Sequence, residues 1–138
     1  MLIDATDHIV GRLASVVAKK ALLGEKIDII NAENAVISGK RPVVFAKMKE
    51  KVSRGIPSKG PHFRRSPERL MKRFIRDMLP YKQPKGRAAF ENIMCWVGVP
   101  EQFKDKKAER IKEAEASKLM INSVSIKEIS RFLGGKVE

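Results

Sequence analysis

Arg69, Lys72, Arg73 and Arg76 recur at i, i+3, i+4 and i+7, the spacing that lines up four cations along one side of a helix. Among them stand Leu70, Met71, Phe74, Ile75, Met78 and Leu79, which at about 100° per residue point nearly the opposite way. A face that is merely solvated mixes signs, because Glu–Lys pairs at helical spacing stabilise a helix and like charges weaken it. Here only Glu68 and Asp77 dilute the row. Such a row is suited to contact with phosphates. The flanking segments extend it. Lys59 and His62-Phe63-Arg64-Arg65 precede it in a loop framed by Gly and Pro, and Lys82, Lys85 and Arg87 follow it in a basic turn that begins at Tyr81. Arginine binds phosphate in a bidentate fashion and stacks on bases. His62 and Phe63 suit stacking on an unpaired base, although Phe63 equally suits anchoring its loop in the core. Weaker candidates are Arg12 beside Gly11, and Lys40 and Arg41 after Gly39, near expected helix starts whose backbone N–H groups favour phosphate. Arg54, at the far end of the second expected helix, is another.

The whole chain of 138 residues carries a formal charge of +13, and its location is informative. Residues 41–90 hold 15 Lys/Arg against 3 Asp/Glu, whereas residues 1–40 hold 5 against 5 and residues 91–138 hold 9 against 8. The densest part, residues 59–87, has 10 basic and 2 acidic residues and four of the seven prolines. A local cationic excess of this size opposes compaction unless a polyanion neutralises it. A nucleic-acid surface is therefore the leading reading, ahead of an acidic membrane surface.

Other chemistries find little support. Gly39-Lys40 and Gly134-Gly135-Lys136 lack the earlier glycine of a phosphate loop, since Asn34 and Ser130 occupy that position. There is no GxGxxG. His8 and His62 with Cys95 make no plausible zinc set. Cys95 lies in an apolar run beside Trp96, where a buried, inert thiol is expected rather than a nucleophile. A lone cysteine forms no internal disulfide and suits a reducing cytoplasm. No apolar run approaches a spanning helix, and the N-terminal Met1-Leu2-Ile3-Asp4 has no secretory pattern. No metal, cofactor or small-molecule substrate is expected.

The elements that must hold the basic surface can be read in outline. The length and the 43% apolar content suit one domain over residues 1–138. Leu2–Ala5 reads as a strand, Ile9–Leu23 as a helix closed by Gly24, Lys26–Asn31 as a second strand and Ala35–Ile37 as a third. Pro42 suits the first turn of a helix running toward Arg54. Residues 55–67, with two glycines and three prolines, form a loop. Ser66 and Pro67 open the basic helix, and Pro80 stops it. Residues 90–99 read as a strand buried on both faces, and residues 104–120 as a charged helix with a thin apolar face. Ser125-Ile126-Lys127-Glu128 is a capping-box pattern opening a last short helix that ends at Gly134. Strands alternating with helices argue for an α/β protein with a parallel sheet.

These residues resemble the large-subunit ribosomal protein L13 family over essentially the full length. Four stretches carry the resemblance: IDATDHIVGRLAS from Ile3, INAENAVISGK from Ile30, GPHFRRSPERLMKRFIRDMLPYKQPKGRAAF from Gly60, and VGVP from Val97. The third is the most specific. Its opening Gly-Pro-His-Phe-Arg is similar to the archaeal and eukaryotic branch, and the short N-terminus and SIKEISRFLG ending to the archaeal one. One departure is Asp77, where the family usually has Gly; four residues after Arg73, it is placed to pair with it. The resemblance implies a three-layer α/β/α fold around a four-stranded parallel sheet of order 3-2-1-4. It implies a structural constituent of the large ribosomal subunit, in the cytoplasm, that binds large-subunit ribosomal RNA, neighbours other ribosomal proteins and supports assembly, without catalysis or cofactor.

Two other classes stand beside it. One is an RNA-modifying or nucleotide-using α/β enzyme, with its site at the strand C-termini. The other is a DNA-binding regulator built on the last helix, although only four residues follow Gly134, too few for a recognition helix. On the ribosomal reading, deleting residues 125–138 is expected to leave most RNA binding in place.

Overall fold

Three short parallel strands form the centre of the computed structural model, which describes residues 1–137. They are β1 (Leu2–Asp4), β2 (Ile27–Ile30) and, after β3 (Val36–Ser38), β4 (Ile93–Cys95). The sheet order is β1-β2-β4. Its register sets Ile3, Ile29 and Cys95 side by side, and Leu2, Asp28 and Met94 in the neighbouring row. Successive strand side chains point to opposite faces. Ile3, Ile29 and Cys95 are accordingly buried, together with Ile27 and Ile93, while Met94 stays 42% exposed.

Five helices follow the chain: α1 (Val10–Leu22), α2 (Arg41–Ser53), α3 (Pro67–Arg76), α4 (Pro84–Glu91) and α5 (Ile126–Phe132). The small and branched stripe of α1 (Leu13, Ala14, Val17, Ala18, Ala21) is buried, and α1 packs against α3 and α4. Leu70, Met71 and Ile75 bring α3 into the same core cluster, beside β4 and α5. Pro67 at the first helical position starts α3, with Ser66 as its N-cap. Met78 N–H to Ile75 O and Leu79 N–H to Arg76 O, both 3.0 Å, tighten the chain past its end.

The sheet departs from the expected four strands in order 3-2-1-4. β4 pairs with β2, so β2 and not β1 is central. β3 leaves this sheet and pairs antiparallel with β5 (Ser123–Ser125), Ile37 opposite Val124. The reason is local. Asn31 adopts a left-handed φ of 55° and a 3-10 turn, Ala32–Asn34, then redirects the chain, leaving β3 a single parallel bridge, Val36 to Ile9. The free edge of β1 is taken by residue 109: Asp4 N–H donates to Glu109 O at 3.1 Å, and Glu109 N–H to Leu2 O at 2.9 Å.

Residues 104–120 are not the expected helix. Lys112–Ala114 and Ala116–Lys118 are 3-10 turns, joined by extended backbone. The thin apolar face offers a helix little to bury, whereas the extended chain satisfies the edge of β1 and buries Ala114. Residues 90–99 are not one long strand either, because α4 runs to Glu91 and the strand is confined to Ile93–Cys95.

The last helix is part of the core. Ser125 accepts from Glu128 N–H at 3.3 Å, as the capping pattern requires, and Ile126, Ile129 and Leu133 are buried. Ser130, fully buried, donates its hydroxyl to Arg65 O at 2.6 Å. A Cβ at Gly135 would overlap Ser130 and the Arg65 carbonyl, so the chain end clamps the loop that leads into α3. Removing this helix would strip Ile126, Ile129 and Leu133 from the core and the Ser130 bond from the Arg65 carbonyl.

Candidate nucleic-acid interface

The cationic row of α3 faces a groove of about 900 Å³. One wall carries Arg69, Lys72, Arg73 and Arg76, joined by His62 and Arg64 from the loop before the helix. The rest of the lining is Glu68 and an apolar set, Phe90, Met94, Cys95, Trp96 and Val97, with Lys72 Nζ 3.8 Å from Met94 Sδ. A shallower hollow alongside brings Phe63, Arg65 and Ser66 together with Arg64 and Arg69. Six of the sequence-derived candidates thus share the groove, and Phe63 and Arg65 border it.

The cations of α3 rest on rings more than on carboxylates. Lys72 Nζ lies 4.7 Å from the Phe90 centroid, the Arg73 guanidinium 4.5 Å from that of Phe63, and Arg76 4.9 Å from that of Tyr81. Such a contact contributes about 0.5–1 kcal/mol at exposed sites. It orients the cation without cancelling its charge. Among the described residues the ion pair in this row is Arg76 with Asp77, at 3.5 Å. Asp77 therefore does not pair with Arg73, as its spacing suggested; Arg73 lies over Phe63 instead. Phe63 is half-buried against the core and holds its loop to α3. Its ring anchors, and one face of it is occupied by a guanidinium.

Tyr81 connects the second basic segment to the first. Its ring meets Arg76, and its carbonyl accepts from Arg87 Nε at 3.3 Å. The expected basic turn is in part the start of α4, which carries Lys85 and Arg87 exposed on its surface. Gly86 lies so close to the Pro80 carbonyl that a Cβ would overlap it, which fixes α4 against the turn after α3. Lys82 is exposed beside Leu79 and Tyr81, and Lys59 in the turn bridged by Ile56 and Gly60.

The weaker candidates lie outside the groove lining. Arg12 is exposed on α1, and Lys40 precedes α2. Arg41 lies over Phe45 and 4.0 Å from Glu128, and Arg54 pairs with Glu50 one helical turn away. Glycine at a helix start was too weak a signal to separate phosphate contact from ordinary surface pairing.

Sequence reasoning missed the apolar wall. Residues 93–97, Ile-Met-Cys-Trp-Val, are apolar throughout, so the alternation that marks a half-exposed strand is invisible. Cys95 sits at the base of this wall, and burial pushes its thiol up to about 12, offset in part by the charge of Lys72. Among the described residues no group of three or more His, Cys, Asp or Glu side chains is placed to hold a metal ion.

The sequence matches a family model described as Ribosomal protein L13 over residues 1–102. It is 45% identical over 135 residues to the large ribosomal subunit protein uL13 of Archaeoglobus fulgidus, spanning 96% of this chain and 86% of that protein. It is 40% identical over 136 residues to the protein of the same name from Methanopyrus kandleri, again over 96% and 86%. For Methanosarcina barkeri the identity is 44% over 139 residues, covering 98% of each chain. These matches span 96–98% of the chain and so extend past residue 102.

Proposed function

Since this chain belongs to the ribosomal protein L13 family, we propose that its α3 face and the two flanking loops are the surface by which it holds large-subunit ribosomal RNA. The protein is a structural constituent of the large ribosomal subunit in the cytoplasmic ribosome, and not an enzyme. The observation that carries the interface is the row Arg69, Lys72, Arg73 and Arg76 lining one groove, the last three oriented by aromatic rings, with Glu68 as the carboxylate of the lining and Asp77 paired to Arg76. Phosphate groups complete that charge. Lys59, His62, Arg64 and Arg65 approach the RNA from one end of α3, and Lys82, Lys85 and Arg87 from the other. Phe63 serves the interface by holding its loop and Arg73 in place. Neighbouring proteins of the subunit are the other partners. Among the described residues no helix is long and apolar enough to cross a membrane.

Binding of the purified chain to large-subunit ribosomal RNA tests this, measured against salt concentration. Roughly six to ten phosphate contacts imply a loss of about 10³–10⁵ in affinity between 50 and 200 mM salt. The double substitution Arg69→Ala and Arg73→Ala is expected to reduce the slope of log K against log salt by about 1.5–2, with an unchanged circular-dichroism spectrum. A slope near zero, or one that the double variant leaves untouched, refutes the assignment.

A further inference from the structure

We propose that the groove between α3 and β4 receives the base of one unpaired nucleotide, with its neighbouring phosphates on Arg69 and Arg73. This rests on the reading that α3 binds RNA, and it adds what the apolar wall is for. Cations alone suffice to hold an RNA backbone. Yet Met94 and Val97, 42% and 43% exposed, line the same groove. Paired RNA offers the outer wall only phosphates and sugars, and so leaves those side chains in water. An unpaired nucleotide offers both surfaces at once, a flat apolar face and an anionic link, which is the usual pairing in single-strand recognition.

Trp96 is built as a fixed platform. Its indole Nε1–H donates to Asp28 Oδ1 at 3.1 Å, and Phe103 packs against it edge-on, with centroids 6.1 Å apart at 62°. With its donor committed, what this side chain retains for the groove is ring surface. The volume of about 900 Å³ lies within the roughly 300–1,000 Å³ usual for ligand sites.

Trp96 is the protein's one tryptophan, so its emission reports on the groove directly. The probes are an RNA hairpin with a single bulged adenosine, the same hairpin with an abasic residue in the bulge, and the fully paired hairpin. The bulged adenosine is expected to quench Trp96 and to bind about 5- to 150-fold more tightly than the abasic form, the range of one base–aromatic stack. Met94→Gln and Val97→Asn change exposed positions and spare the core; each is expected to reduce that preference more than it changes affinity for the paired hairpin. Equal, salt-sensitive binding of all three hairpins overturns the base pocket and leaves the α3 interface standing. Binding of none overturns both. Quenching by polyglutamate in place of the bulged RNA overturns the proposal in favour of an acidic peptide.

Discussion

Replacing His8 by alanine tests a polar side chain buried in the scaffold with both of its ring nitrogens engaged. The imidazole is fully buried. Nδ1 lies 2.8 Å from Thr6 O, and Ile111 N–H donates to Nε2 at 3.0 Å. A carbonyl only accepts and an amide only donates, so the two bonds together assign the neutral ring with its hydrogen on Nδ1. The ring sits in a seam that joins the chain after β1 to residues 109–116, where Ile9 N–H donates to Ala114 O at 2.7 Å and Ala116 N–H to Asp7 O at 2.8 Å. His8→Ala leaves the Thr6 carbonyl and the Ile111 amide unpaired, at about 1–3 kcal/mol each, and opens a cavity besides. The expected loss is roughly 3–6 kcal/mol, set against a total stability of order 5–15 kcal/mol. Two further variants separate the bonds. In His8→Asn an amide N–H replaces the Nδ1–H toward Thr6; in His8→Gln a carbonyl oxygen replaces Nε2 as acceptor for Ile111. Urea denaturation gives the energies, and hydrogen exchange at the Ile111 amide gives the geometry. That amide is expected to stay protected in the wild type and the Gln variant, and to exchange faster in Asn and Ala. Equal stability of all four proteins, or Ile111 exchange indifferent to the substitution, refutes the reasoning.

Three shorter predictions concern the same scaffold. Gly86→Ala forces a Cβ into the Pro80 carbonyl and is expected to cost at least about 2 kcal/mol in urea denaturation, backbone being unable to yield as side chains do; Gly11→Ala, with open space around it, is the control and is expected to be neutral or mildly stabilising. For Asp4, burial raises the carboxyl, but the bonds from the Asn31 amide and from the Thr6 N–H and hydroxyl, with the nearby charge of Arg110, outweigh it and hold the group below its ordinary 3.8. The folded state thus favours the carboxylate: the stabilisation is complete above 3.8 and disappears as pH falls through the lower folded-state value. Denaturation midpoints between pH 2 and 6 are expected to drop less steeply toward acid for Asp4→Asn than for the wild type, and parallel curves count against the network. Cys95, with its thiol at about 12, is expected to resist iodoacetamide at pH 8 in the native protein and to react fully in urea, so that rapid native labelling contradicts its burial.

What was legible in the sequence is what local spacing controls. The opposed faces of α3 depend only on helical period, and Leu70, Met71 and Ile75 are indeed buried while Arg69 is exposed. Ser125 caps α5 because its partner Glu128 lies three residues away. The misreadings all involve partners distant in the chain. Residues 104–120 carry enough charge at helical spacing to suggest a helix, but the edge of β1, a hundred residues earlier, engages their backbone. Tyr81–Arg87 looked like one turn, because the close approach of Gly86 to Pro80 that seats α4 is not a property of composition. What His8 does was not visible, since Ile111, which donates to its Nε2, becomes a neighbour only after that segment has folded back.

By itself, then, the sequence determined the charge and its place: a near-neutral scaffold, one helix with a cationic side, prolines and glycines bounding its loops, and motifs specific enough to identify the family. The tertiary structure decided what stands opposite that helix. Strand pairing is a long-range choice, and it is the folded chain, with β4 paired to β2, that brings Met94, Trp96 and Val97 into one groove with the cations of α3. Helical periodicity arranges residues within one turn of each other, whereas a groove needs two walls from separate elements, and only the folded core sets the distance between them.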